Sequence, residues 1–255
     1  MKKIIIAILT LVLVNGMTGA AFAEESYNQT LQTEKEVMLV VKHLSADGKL
    51  SEKDKAIILE NASQAAIDAY VKEKVTESFD LAGALNGEVN MDGTSCKTEV
   101  FQLENGCTLT MKFTEGADSG KVSTKRAANG ETLWKDYGNR YFTATATVNT
   151  GFGKGTISLE NHYSLGTQGI DENYGVQRVD SNVALVETAI TTDGVTISDS
   201  TARTIGSSDV NMVGKFTIKN SDGIKKTSRL STSVGYVDHN KTTKQIKVKH
   251  SWSLS

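Results

Sequence analysis

The 255-residue sequence contains no proline, two cysteines and four histidines, and only 6% of its residues are aromatic. The histidines (His43, His162, His239 and His250) form no H-E-x-x-H pair, and no G-x-S-x-G motif occurs. The usual signatures of zinc and serine hydrolases are therefore missing. We expect no cofactor and no metal site. A non-catalytic function is favoured, and an enzyme with dispersed catalytic residues stays open as an alternative.

Nucleic acid is excluded as a partner by the same scarcity of aromatic residues. A single-strand binding surface interleaves basic residues with aromatic rings on which bases stack. The basic part of this chain lacks that interleaving, and the whole chain carries a net charge of −2.

Apolar runs are short everywhere except at the N-terminus, where residues 1–23 have the pattern of a bacterial secretory signal peptide. Lys2 and Lys3 precede the apolar stretch Ile4–Val14, and Ala21-Phe22-Ala23 provides a small-x-small cleavage site. No second run approaches the roughly 20 residues that a spanning helix needs. We therefore expect a secreted, extracellular protein that begins at Glu24.

Charge is distributed unevenly along the chain. Residues 24–118 carry 9 basic and 18 acidic side chains, whereas residues 214–255 carry 9 basic and 2 acidic ones. A basic tail on an acidic protein can attract anionic surfaces, although internal charge balance would produce the same distribution.

The N-terminal part of the mature chain, residues 24–80, is predicted to form an αα-hairpin. Thr33 and Glu36 make a capping box, followed by apolar residues at helical spacing. Ser51 starts a second helix that should run to about Phe79, with Ile58 and three alanines (Ala62, Ala65 and Ala69) on its inner face.

From Cys96 onward the apolar residues alternate, which predicts strands. Residues 81–95 are small and polar and are predicted to be a linker, so residues 96–255 form the β domain. The predicted strands are Glu99–Leu103, Thr108–Thr114, Gly120–Thr124, Tyr141–Asn149, Gly155–Tyr163, Asn182–Thr191, Val195–Ser198, Asn211–Lys219, Thr227–Val237 and Lys244–Leu254. The fold class is therefore α+β, an αα-hairpin followed by a mainly antiparallel β-sandwich.

Two features of the stretch from Thr94 to Phe113 disagree. Asn105-Gly106 favours a two-residue type I′ turn, which pairs Glu104 with Cys107 and leaves Cys96 about 25 Å from Cys107. A disulfide needs Cα atoms within roughly 7 Å. An exported protein with an even cysteine count usually pairs its cysteines. We therefore expect a Cys96–Cys107 disulfide, and the regular hairpin is the alternative.

A second pair of strands, Tyr141–Asn149 and Gly155–Tyr163, alternates apolar residues with Thr and Ser. Pore-forming proteins insert hairpins of this composition, with about 9–11 residues per strand. A one-sided sheet has the same alternation, so core packing is the simpler interpretation.

The candidate binding residues are lysines of the basic tail: Lys225, Lys226, Lys241, Lys244, Lys247 and Lys249. Lys244, Lys247 and Lys249 are expected to share the solvent face of the last strand, with Ile246, Val248 and Trp252 facing inward. Lysines near a sheet edge also serve to block edge-to-edge pairing. The sequence thus predicts a secreted binding protein that engages an anionic cell-envelope polymer, a membrane or a host surface. A membrane-damaging β-hairpin protein is the alternative.

Overall fold

The computed structural model describes residues 31–45, 50–91, 95–117 and 134–255. The predicted signal peptide and the predicted strand Gly120–Thr124 lie outside the described residues. Three helices come first: α1 (Glu34–Leu44), α2 (Glu52–Asn61) and α3 (Gln64–Leu81). The capping box of Thr33 and Glu36 is confirmed, and Ser51 caps α2.

The predicted αα-hairpin is wrong in one respect, because the second helix breaks at Ala62. Ala62 has extended backbone angles, and the Ser63 hydroxyl accepts a hydrogen bond from the Ala66 N–H, which starts a new helix. Leu31 fills the break by donating to the Asn61 carbonyl (2.7 Å) and accepting from the Ser63 N–H (2.8 Å). The helix that starts there has a different axis, so it buries Ala66 and Tyr70 and not the alanine face that the sequence predicted.

The remaining elements are strands, apart from the short helix α4 (Ala184–Glu187). The strands are β1 (Asn86–Val89), β2 (Cys96–Gln102), β3 (Thr108–Ala117), β4 (Trp134–Asp136), β5 (Gly138–Asn149), β6 (Lys154–Gly166), β7 (Gly169–Ser181), β8 (Ile190–Asp199), β9 (Thr201–Ala202), β10 (Ser208–Lys219), β11 (Lys225–Asn240) and β12 (Gln245–Leu254). The predicted linker thus contains β1. The predicted strand Asn182–Thr191 contains α4 and turn residues, and only its last two residues belong to β8; β7 was not predicted.

The strands form two antiparallel sheets. Sheet one has the order β1-β12-β11-β10-β8, with β4 also paired to β12, and sheet two has the order β2-β3-β5-β6-β7-β9. The inner faces of both sheets and the helices contribute to one buried apolar cluster. Phe113 of sheet two, for example, lies 5.7 Å from Trp252 of sheet one, measured between ring centroids. The predicted antiparallel two-sheet β architecture is confirmed.

The helices cover one end of the two sheets, where the chain turns between β5 and β6. A Cβ at Gly155 would lie 2.7 Å from a methyl group of Val75 on α3, so this approach requires a glycine. Val71 and Val75 are both buried. Within the described residues, no helix is long and apolar enough to cross a membrane.

The hairpin of β5 and β6 lies in the middle of sheet two. Phe142, Ala144 and Ile157 are fully buried, whereas Thr143, Thr145 and Ser158 face outward, as the alternation predicted. Both strands are paired on both sides, β5 with β3 and β6 with β7. The hairpin is therefore an integral part of the core.

The predicted Cys96–Cys107 disulfide is wrong, because both cysteines are free. The hairpin of β2 and β3 is regular, and Cys96 pairs with Thr114, seven residues from Cys107 along the chain. At about 3.3 Å per residue this separates the two cysteines by roughly 23 Å.

The turn of this hairpin also differs from the predicted type I′ turn by one residue of register. Leu103 pairs with Cys107, since the Leu103 N–H donates to the Cys107 carbonyl (3.0 Å). The Gly106 N–H donates to the Leu103 carbonyl, and Gly106 has φ +82°. A three-residue loop with a left-handed glycine at its end forms a G1 bulge, which uses the glycine but not the two-residue turn.

Thiol labelling should therefore find two free cysteines of very different reactivity. Cys96 is exposed, whereas Cys107 is buried and burial raises the pKa of its thiol. We expect the folded, non-reduced protein to react at Cys96 within minutes and at Cys107 only after denaturation, measured by mass spectrometry. Complete absence of labelling in denatured, non-reduced protein would restore the disulfide.

Candidate anion-binding face

The six lysines predicted from the sequence do not form one site. Lys225 and Lys226 begin β11, whereas Lys241 and Lys244 lie in the turn that follows its other end. The 16 residues from Lys225 to Lys241 correspond to about 50 Å of extended chain. Lys244 lies outside β12 and has φ +54°, so it does not share a strand face with Lys247 and Lys249.

Two of these lysines are paired with carboxylates from other elements. Lys226 forms an ion pair with Asp80 at the end of α3, and Lys249 forms one with Glu88 on β1 (3.3 Å). Ile246, Val248 and Trp252 are buried, as predicted. β12 has partners on both sides, so its lysines do not protect an exposed edge.

The structure instead brings together four cations of β10 and β11, which we name the cation quartet: Lys215, Lys219, Lys225 and Arg229. Lys215 lies directly opposite Arg229, and Lys219 lies directly opposite Lys225. All four are exposed on the outer face of sheet one. Cβ atoms of directly opposed residues are about 4.5–5.5 Å apart, and the two pairs are separated by about 13 Å along the strands.

Like charges directly across a sheet destabilise it, so the cation quartet needs an explanation. The cations do not serve to protect an exposed sheet edge from pairing with another chain, because β10 and β11 are interior strands. Within the described part of the chain, none of the four side chains forms an ion pair. One carboxylate lies between the two pairs, where Asp193 accepts a hydrogen bond from the Thr217 hydroxyl. The face retains an excess of positive charge.

A second group, the serine quartet, continues the same face away from the cations. Its members are two opposed pairs, Ser231 with Ser253 and Ser233 with Ser251. They line a shallow depression of about 320 Å³, together with Asn211 on β10. Asn211 Oδ1 and Trp252 Nε1 are buried atoms of residues that line it, and neither has a hydrogen-bond partner within the described structure. The depression therefore offers the serine hydroxyls to a ligand.

A buried ionic cluster lies between the sheets and is closed to ligands. Glu115 accepts from Lys135 (2.7 Å), from Arg140 (3.2 Å) and from the Tyr163 hydroxyl (3.2 Å), with His250 at 3.9 Å. Burial alone raises the pKa of Glu115, but attraction to His250, Lys135 and Arg140 outweighs it and lowers the pKa to about 2. Burial, reinforced by Lys135 and Arg140, lowers the pKa of His250 to about 4. The members of the cluster satisfy one another's charges and hydrogen bonds inside the protein.

The ring of His239 is held by two tyrosines and not by its sequence neighbour Asp238. Its Nε2 contacts the Tyr137 hydroxyl, and its Nδ1 contacts the Tyr236 hydroxyl at 2.6 Å. The Asp238 carboxylate accepts from the backbone N–H of His239 instead of orienting the ring. Both ring nitrogens are thus engaged by tyrosines, and no nucleophile with its base is formed here. Within the described residues no cluster of three metal-ligating side chains occurs.

The sequence showed that the C-terminal part of the chain is basic, but three members of the cation quartet, Lys215, Lys219 and Arg229, were not predicted. All four side chains of the cation quartet share a face, with residues 215 and 219 on one strand and residues 225 and 229 on the next. The spacing of four residues within each strand was visible in the sequence.

No family model, curated protein or solved structure matches this chain.

Proposed function

We propose that the protein is a non-catalytic binding protein that engages an anionic, hydroxyl-rich polymer through the outer face of sheet one. The observation that carries the proposal is the pair of like-charged rungs on interior strands. Lys215 faces Arg229 and Lys219 faces Lys225, at a cost to the sheet that a bound anion would offset.

The shape of the face favours a polymer over a small ion. Along β11, from Lys225 to Ser233, the outward residues are all polar and extend over about 26 Å, so this row joins the cation quartet to the serine quartet. Serine hydroxyls suit sugar or polyol hydroxyls, whereas the cations suit carboxylate, sulfate or phosphate groups. No aromatic ring belongs to either quartet, so charge and hydrogen bonds would provide the affinity.

The predicted signal peptide supports the same function, because export would bring the protein to the acidic polysaccharides and polyol phosphates of a cell envelope or a host surface. The acidic first half of the mature chain would orient the basic face towards such a polymer.

The direct test is to replace the cation quartet as a whole, with the substitutions Lys215→Gln, Lys219→Gln, Lys225→Gln and Arg229→Gln. The parent protein should bind dextran sulfate and not neutral dextran, and its binding should weaken as salt shortens the roughly 10 Å screening length at 0.1 M. The variant should bind about tenfold or more weakly, a loss of about 1.4 kcal/mol. Biolayer interferometry on the immobilised polymers measures both.

A matched control removes four exposed charges elsewhere, with glutamine at Lys35, Lys53, Lys241 and Lys244. This control has the same net charge as the quartet variant, so it should retain nearly all of the parent's affinity. Equal losses in the two variants would mean that net charge alone drives binding, and would contradict a defined face.

The alternative of a membrane-damaging hairpin is not favoured by the position of β5 and β6. Release of this hairpin would break its ladders with β3 and β7 and expose Phe142 and Leu159 to water. Leakage from dye-loaded anionic liposomes separates the two functions, because the polymer-binding protein should release no dye.

A further inference from the structure

A second candidate site, which shares no lining residue with the depression at the serine quartet, lies between the helices and two turns of sheet two. This helix–hairpin cavity has a volume of about 670 Å³ and is bordered by α1, α2, α3, the turn after β2 and the turn after β5. Pockets that hold small organic ligands have volumes of about 300–1,000 Å³.

One side of the helix–hairpin cavity is apolar. Helix α1 buries Val37 and Val40 in the core. Met38 and Val41 pack partly against the same core, and together with Leu39 they line the cavity. Leu39 is 47% exposed. A surface helix usually keeps apolar residues on the one face that it buries. Apolar residues grouped around a cavity therefore indicate a surface that a ligand covers.

The other side of the cavity is cationic, with Lys42, Lys55 and Lys74 along its border. Lys55 pairs with Glu52, and Lys74 pairs with Glu77, each at 2.7 Å. In both pairs the lysine is the less exposed partner, with 24% against 90% for the first pair and 13% against 43% for the second. The lysines thus lie towards the cavity and the glutamates towards solvent.

Among the described residues that line this cavity, Glu104 in the turn after β2 is the one carboxylate, against three ammonium groups. Tyr70 and Cys107 complete its interior and are both buried. The cavity therefore offers an apolar wall beside three lysine ammonium groups. A bare anion would gain nothing from the apolar wall, and a neutral apolar molecule would gain nothing from the lysines.

We propose that the helix–hairpin cavity binds a single-chain anionic amphiphile, with the acyl chain against Met38, Leu39 and Val41 and the acidic head group among the lysines. Carboxylate and phosphate head groups share the chemistry that these lysines recognise. The site is separate from the cation quartet, and its occupancy does not depend on polymer binding.

The test is a titration of the full chain with a dansyl-labelled fatty acid kept below its critical micelle concentration. The parent protein should give saturable, blue-shifted emission, and a lysophosphatidic acid and an unlabelled fatty acid should both compete, whereas a monoacylglycerol should compete at least tenfold less well. Competition by only one of the two acids identifies the head group, and competition by either one supports the proposal. Competition by the neutral amphiphile at the same concentration would contradict it.

Two matched substitutions locate the site. Leu39→Glu places a carboxylate on the apolar wall and should weaken probe binding at least tenfold. Leu59→Glu makes the same change at a 52% exposed leucine of α2 that does not line the cavity, and should change binding less than twofold. Both positions are solvent-exposed, so both variants should fold, as circular dichroism can verify. No saturable binding by the parent, or equal effects of the two variants, would overturn the proposal.

Discussion

Replacing Glu115 with alanine should lower the free energy of unfolding by about 3–5 kcal/mol, because it leaves two buried cations without their carboxylate. Lys135 on β4 and Arg140 on β5 both contact this carboxylate, and both are buried. Among the described strands, β4 pairs only with β12. The Glu115–Lys135 ion pair therefore also ties sheet two to the edge of sheet one.

Urea denaturation of the two proteins measures this loss, with Glu88→Ala as the control. Glu88 on β1 forms an ion pair with Lys249 (3.3 Å), and both side chains are more than half exposed. Exposed ion pairs contribute about 1 kcal/mol or less, so this control should lose little stability. A loss in the Glu115 variant no larger than in the control would show that Lys135 and Arg140 find water or other partners.

The pH dependence of the parent protein provides an independent check on the same cluster. The pKa of Glu115 falls from 4.5 to about 2 on folding, so its contribution is present above pH 4.5 and is lost as the pH falls towards 2. The pKa of His250 falls from 6.5 to about 4 on folding, so the folded state favours the neutral imidazole. The stability that this preference contributes is fully present above pH 6.5 and is lost as the pH falls from 6.5 to about 4. Stability should therefore decrease in both acid intervals. A flat profile from pH 7 to pH 3 would contradict the charge assignment.

Substitution of Gly169 by alanine should cost about 2–4 kcal/mol through backbone strain and overpacking. Gly169 starts β7 with φ +123°, and a Cβ there would lie 2.2 Å from the Ala202 carbonyl oxygen. That carbonyl belongs to β9, the short strand that pairs with β7 beside it. An alanine would have to displace the backbone of β9, since no flexible side chain can move away instead.

Gly166→Ala is the matched control, because Gly166 is the residue opposite Gly169 in the same turn. No atom lies within 4 Å of its Cβ position, and its φ is not in the left-handed region. The control should therefore change stability by no more than about 0.5 kcal/mol. Thermal unfolding followed by circular dichroism compares the two. Similar melting temperatures for both variants would show that β9 moves at little cost.

Local chemistry in the sequence determined the faces and the ends of many elements. The alternation in β5 and β6 identified Phe142 and Ile157 as buried, because a strand sends successive side chains to opposite faces whatever it pairs with. The capping box at Thr33 likewise needs only residues three apart. β7 was missed because its thirteen residues are mostly polar, and its pairing with β6 rather than apolar periodicity makes it a strand.

Register, strand order and helix breaks depended on contacts between distant residues. Asn105-Gly106 fits either a two-residue turn or a G1 bulge, and the register that places Phe101 opposite the buried Leu109 selects the bulge. Either turn keeps the two cysteines far apart. Likewise, nothing in the local sequence shows that Lys215 lies opposite Arg229, or that their strands are interior. The basic character of residues 214–255 was determined by the sequence. Only the pairing of β10 with β11 decided which of these cations lie side by side on one face, because the residues of each like-charged pair are neighbours across two paired strands and not along the chain.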